Sequence, residues 1–234
     1  MHYISMTPLK TMEENHKAIM RYLGIDSQDP LPDQEISSMD LLIWNCRGVG
    51  NKRFKRNPRK LVQIHKPELM VLMETKVEFK SMGMFFNGMG FIASSYVDPI
   101  AVYASPSRAK RDDLWDRLEA IAQHMLVAGN FNDFITPNDK RSFHGSHQQT
   151  LSQDQRRSKK FNERINNCKL MDLGCIGPRL IWSNNRKCWA NTMVRFDRAM
   201  CNTEWRITFP DGAVRNLLRT YSDHSPMMVF TQVE

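Results

Sequence analysis

Three times this chain runs through four or five apolar residues and then stops on a polar one. Leu41-Leu42-Ile43-Trp44 ends in Asn45. Leu69-Met70-Val71-Leu72-Met73 ends in Glu74. Met125-Leu126-Val127-Ala128 leads through Gly129 to Asn130, Phe131 and Asn132. Apolar runs this short and continuous mark buried strands. Such strands need cover on both faces, so the chain is confined to layered architectures in which sheets are packed by helices or by a second sheet.

Helical patterns separate some of these runs. Leu61, Ile64 and His65 carry one helix, with Pro58 suited to its first turn and Pro67 stopping it. Leu114, Leu118, Ile121 and Ala122 share a face from Ser107 onward, and Phe161, Ile165 and Cys168 mark another helix after a polar loop to about Gln153. Further strands are expected over 101–104, 180–182, 194–200 and 227–230, with Thr203 capping a short turn through Trp205. The late strands follow one another without helices between them. The pattern predicts an α/β sandwich: two mixed sheets packed face to face, with helices outside. Residues 79–100 show no clear period. Residues 1–39 read as a separate extension, with a short helix over Glu13 to Leu23 and a Pro-containing acidic linker over Asp26 to Asp33. The domain proper spans 40–234.

Charge follows the same division. The chain carries a net +8, but residues 1–39 hold three basic and six acidic side chains, while 40–234 hold thirty and nineteen. Six of the ten residues 51–60 are Lys or Arg, among them Lys52, Arg53, Lys55 and Arg56. A basic body implies a polyanionic partner, because phosphate contacts release counterions. No run of eighteen apolar residues offers a membrane span. The five cysteines lack a C-x-x-C spacing, which argues against a zinc ribbon and for reduced thiols, fitting cytosol or nucleus.

The polar residues at the strand ends gather at one rim if the strands share a sheet edge. Asp223-His224, just before the strand at 227–230, adds to Asn45, Glu74, Asn130 and Asn132. Singly, each has an ordinary reading as a turn residue, cap or surface acid. Together they suit phosphodiester hydrolysis. A hard Mg2+ (or Mn2+) ion held by one or two carboxylates neutralises a phosphoryl group that gains charge. Glu74 is the best ligand, with Asn45 and Asp223 beside it. A histidine held by an acid stabilises phosphate oxygens, and Asp197 is the candidate acid for His224. The amide of Asn132 can orient phosphate or water, and a carboxylate should take the proton from the attacking water.

Six motifs in this order resemble one family: Trp44-Asn45-Cys46-Arg47-Gly48, Leu72-Met73-Glu74-Thr75-Lys76, Val102-Tyr103-Ala104-Ser105-Pro106, Trp182-Ser183-Asn184, Arg195-Phe196-Asp197-Arg198-Ala199 and Ser222-Asp223-His224. The chain resembles the endonuclease/exonuclease/phosphatase (DNase I-like) superfamily. It is most similar to the endonuclease domain of plant LINE-type non-LTR retrotransposons, through Glu204-Trp205-Arg206 and Phe209-Pro210 as well. The resemblance implies a four-layered α/β sandwich, with Asn45, Glu74 and Asp223 at the metal. It implies Tyr103 and Asn132 at the scissile phosphate, Asp197 paired with His224, and Arg47 and Asn184 among the groups that meet DNA. It implies DNA nicking inside the cell, in the nucleus. Two departures qualify it. Gly129-Asn130-Phe131-Asn132 carries an amide where the family has aspartate, which removes the expected general base and predicts impaired catalysis, by about 10²- to 10⁴-fold. The stretch between 76 and 100 is too short for the strands the family carries there, which predicts some strands of one sheet missing. An active nicking enzyme is the alternative reading, and a phosphatase of the same superfamily a weaker one.

Overall fold

A computed structural model gives the fold and describes residues 40–50, 52–67, 69–77, 83–89, 101–120, 126–142 and 148–232. The expected N-terminal helix, the linker, Ile121, Ala122 and most of the shortened stretch lie outside these residues. Along the chain run β1 (Asp40–Asn45), α1 (Lys52–His65), β2 (Leu69–Met73), α2 (Gly83–Asn87), β3 (Ala101–Tyr103), α3 (Arg108–Glu119) and β4 (Leu126–Asn130). A 3-10 turn at Pro137–Asp139 leads into β5 (Lys140–Ser142), α4 (Gln148–Asn167), β6 (Met171–Asp172) and β7 (Trp182–Ser183). The last elements are β8 (Thr192–Val194), β9 (Asp197–Cys201), α5 (Thr203–Thr208), β10 (Ala213–Asn216) and β11 (Met227–Phe230).

Two four-stranded mixed sheets face each other, one ordered β10-β11-β1-β2 and the other β3-β4-β9-β6. Strand alternation sets the layers. Leu41 and Ile43 of β1 point between the sheets, where they meet Leu126, Ala128, Ala199, Val214 and Val229, with Trp205 and Phe209 plugging one end. Leu42 and Trp44 point outward to Phe54 and Leu61 of α1. On the other side Val127 and Met200 turn outward onto Leu114, Trp115 and Leu118 of α3 and Phe161 and Ile165 of α4. The order is helix, sheet, sheet, helix, as the apolar runs required.

Several expectations are corrected. Pro58 lies well inside α1, which begins at Lys52; the ring is buried, and the helix loses a backbone donor there. The polar loop expected up to Gln153 contains the 3-10 turn, β5 and the start of α4. The single strand expected over 194–200 is two strands in different sheets, because β8 joins β5 and β7 in a small third sheet while β9 joins β4. β6 and β10 were not expected. Asn202, not Thr203, caps α5, its side chain accepting from the Trp205 amide at 3.0 Å. Within the stretch that showed no clear period, Phe85 and Phe86 of α2 are buried with Trp44 and Phe54 on the outer face. Among the described residues no helix is long and apolar enough to cross a membrane. The five cysteines are free, but only Cys46 and Cys201 are buried and Cys188 is exposed.

Gly129 fixes the approach of β3 to β4. Its φ is +144°, and a Cβ there would lie 2.1 Å from the Val102 carbonyl oxygen. Gly129→Ala therefore has to push β3 away from β4. The expected cost is about 3 kcal/mol, from backbone strain and overpacking together, read as a lowered urea midpoint.

Candidate active site

β1 and β2 run parallel in one sheet, and β3 and β4 run parallel in the other. The four strands end on Asn45, Met73-Glu74, Tyr103 and Asn130, so four of the expected residues arrive at one rim. Asn45 is fully buried and donates from Nδ2 to Glu74 Oε1 at 2.8 Å. Glu74 adopts a left-handed φ of +53° immediately after β2, an unusual backbone state for a side chain of this size. Burial, the charge of Glu74 and a hydrogen bond to that carboxylate push the Tyr103 hydroxyl up to about 12, against the opposing pull of Arg47 and Asn132. Tyr103 thus links the Glu74 side of the rim to the Asn132 side.

The C-terminal motif closes the group. Ser222 donates to the Asn45 carbonyl at 2.8 Å, and its oxygen accepts from the His224 amide at 3.1 Å. Trp44 Nε1 donates to the His224 carbonyl at 3.1 Å. These bonds tie the loop before β11 to the end of β1. His224 Nδ1 lies 2.6 Å from Asp197 Oδ2, both side chains buried. Burial alone would lower the imidazole pKa. Asp197 outweighs it, with help from Asp223 and Glu74, and holds the ring above the usual histidine value.

Asn130 is buried, and its Oδ1 accepts from the Asn132 amide at 2.8 Å. It faces Asp197 directly in the β4–β9 ladder. Asn132, at φ +47°, donates from Nδ2 to the Ala104 carbonyl at 2.6 Å. Asp133 turns away: Arg111 lies 3.3 Å from it and Arg157 binds its other oxygen. It is in no position to replace a carboxylate at 130.

Arg47 was expected to meet DNA, but the structure turns it inward on one side. Its guanidinium binds Asp223 and lies 3.5 Å from Glu74 Oε2. Asp223 also accepts from Trp182 Nε1 at 3.0 Å, so it reaches Glu74 through Arg47. Neither the Arg47 bridge nor the Trp182 contact was legible in the sequence. Lys55 and Arg56 are exposed on α1, and Lys52 and Arg53 open that helix. The Asn184 amide is spent within its own loop, donating to the Ala190 carbonyl at 2.8 Å and accepting from the amides of Arg186 and Thr192. These bonds clamp the loop from Asn184 to Thr192.

Among the described residues no group of three or more His, Cys, Asp or Glu is placed to hold a metal ion. Asn45 Oδ1, however, is buried with no hydrogen-bond partner. A buried acceptor left without a donor is costly unless a cation or water serves it. With the Glu74 carboxylate beside it, the hard-oxygen set fits Mg2+, which takes one or two carboxylates and keeps waters.

No family model matches the sequence, and no curated protein matches it. Solved structures do match the fold. The AP endonuclease LMAP from Leishmania major is 13% identical, covering 84% of this chain and 88% of its own, with a TM-score of 0.58. The endonuclease domain of TRAS1, a telomere-specific non-LTR retrotransposon, is also 13% identical, covering 82% of this chain and 97% of its own, with a TM-score of 0.50. The fold is DNase I-like.

Proposed function

We propose that this chain is a DNase I-like phosphodiesterase domain that binds DNA in the nucleus, is derived from a plant LINE-type retrotransposon, and is impaired in hydrolysis by Asn130. The observation that carries this reading is the meeting of the Asn45–Glu74 pair with the buried Asp197–His224 pair at one rim. These groups come from strands far apart in sequence, and a solely structural role would not require them to converge. The ordered sequence motifs support the retrotransposon origin.

The residues divide the work. Asp197 fixes the His224 ring through Nδ1 and leaves Nε2 to donate to a phosphate oxygen. Tyr103 and Asn132 would meet the same phosphate by exchanging bonds that they now make to Glu74 and to the Ala104 carbonyl. Asn45 and Glu74 would hold Mg2+ or Mn2+, which when bound neutralises phosphoryl charge. Asp223 holds Arg47 beside Glu74. Asn130 keeps the turn closed through its bond to the Asn132 amide, yet it has no carboxylate to accept a proton from water.

A labelled DNA duplex titrated in EDTA should bind, with affinity falling steeply as salt rises. Supercoiled plasmid incubated with Mg2+ should stay largely closed over the same time. Rapid nicking by the unaltered chain would favour the active-enzyme reading. Release of inorganic phosphate from a small phosphorylated substrate, without DNA binding, would favour a phosphatase.

A further inference from the structure

A cavity of about 390 Å³ lies between α3 and α4, beside Asp133 of the loop that carries Asn132. Five cations line it (Arg111, Arg156, Arg157, Lys160 and Arg164) against two carboxylates, Asp112 and Asp133. Asp112 is shared between Lys160 at 3.1 Å and Arg164 at 3.3 Å. Asp133 is shared between Arg111 and Arg157. Arg156 is exposed and has no partner among the described residues. Arg164 is also held by Asp116 at 2.9 Å, beside the cleft. Set against these three carboxylates, the five cations leave a surplus of two positive charges.

The spacing of that charge is regular. Arg156, Lys160 and Arg164 recur every fourth residue, which stacks them along one ridge at about 6 Å per step. Like charges at this spacing cost a helix about 0.2–0.5 kcal/mol per pair; Lys160 and Arg164 are compensated by Asp112 and Asp116 of α3, but no such pair accounts for Arg156. The cleft is also joined to the candidate site. Arg157 donates to the Asn132 carbonyl, and Arg111 donates to the carbonyls of Ser105 at 3.0 Å and Pro106 at 2.6 Å. Cations of the cleft thus hold both the loop that follows Tyr103 and the loop that carries Asn132.

We infer that the α3–α4 cleft is a second phosphate-binding track, which takes the sugar-phosphate backbone of the DNA beyond the phosphate at the candidate site. The ridge is about 12 Å long, enough to follow three or four phosphates of one strand at 3.4 Å of duplex axis each. This assignment rests on the reading of the chain as a DNA-binding domain.

The test is duplex binding in EDTA across a salt series, comparing the full chain with Arg156→Gln/Lys160→Gln and with Lys159→Gln/Lys169→Gln. The second pair removes the same charge from exposed positions that do not line the cleft. Loss of two phosphate contacts should reduce the slope of log affinity against log salt by about 1.8, so the weakening relative to the unaltered chain should differ about twelvefold between 50 and 200 mM salt. The control pair should lose distinctly less. Unchanged unfolding midpoints would show that the variants are folded, and Arg156→Gln alone, which breaks no ion pair, should give about half the change in slope. Equal losses from both pairs, or no change from the cleft pair while the unaltered chain binds DNA, would overturn the cleft assignment and leave the DNA reading intact. Failure of the unaltered chain to bind DNA at all would overturn both.

Discussion

Arg198→Leu is expected to destabilise the protein by about 3–5 kcal/mol, the usual cost of removing one partner from a buried ion pair. Against a total of about 5–15 kcal/mol for a domain, that is at least about a fifth of the stability and, at the low end of the range, nearly all of it. The Arg198 side chain is fully buried, bound to Asp172 Oδ2 at 2.5 Å and to Asp139 Oδ2 at 2.7 Å. Asp139 is itself buried and closes the 3-10 turn through the Thr136 amide. The network therefore pins the start of the small sheet to β6 and β9, the strand that carries Asp197. Arg179→Ala is the contrast. It removes another partner of Asp139, but one that is 58% exposed, and should cost less than about 1 kcal/mol.

The pH dependence has a definite sign. Burial alone would raise the Asp139 carboxyl, but Arg198 outweighs it and holds the group below its ordinary value of 3.8. A depressed carboxyl contributes stability above its unfolded pKa and loses it as pH falls through the folded one. The gap in urea midpoint between the unaltered chain and Arg198→Leu should thus be full at neutral pH and shrink below about 3.8. A gap that grew on acidification, or a variant as stable as the parent at pH 7, would show that the network is not a structural pin.

The rim of the site was legible because its strands are short, apolar and buried, so each announces its own end with the first polar residue. Asn45, Glu74 and Asn130 could be picked out for that reason, and Asp197 and His224 through the motifs around them. What was not legible depends on partners distant in sequence. Nothing near Arg47 says that its guanidinium will bind Asp223, and nothing near Trp182 says that its indole will bind the same carboxylate. The strands of the third sheet are two or three residues long, too short to show alternation. The break between β8 and β9 falls at Arg195-Phe196 inside a run that reads as continuous. The α3–α4 cleft was hidden because α4 is polar almost throughout, and its cations acquire a common direction only once Phe161 and Ile165 set the buried face.

Asn130→Asp should raise the rate of Mg2+-dependent plasmid nicking by about 10²- to 10⁴-fold, equivalent to roughly 3–5.5 kcal/mol in the barrier. The exchange is nearly isosteric. A carboxylate can accept the Asn132 amide bond that Asn130 Oδ1 now accepts at 2.8 Å, so the turn holding Asn132 is preserved. The gain is an oxygen that can take a proton from water. The cost is a second buried negative charge facing Asp197 across the ladder, offset by the His224 ring that Asp197 holds. Asp133 does not compete for the role, since it is taken up by Arg111 and Arg157. Conversion of supercoiled to open-circular plasmid measures the effect, and EDTA or a further Glu74→Gln change should abolish it. An Asn130→Asp variant that binds DNA as tightly as the parent yet nicks no faster would show that more than a general base has been lost. A parent chain that already nicks rapidly, and gains nothing from the aspartate, would show that water is activated by another group and that Asn130 is no impairment.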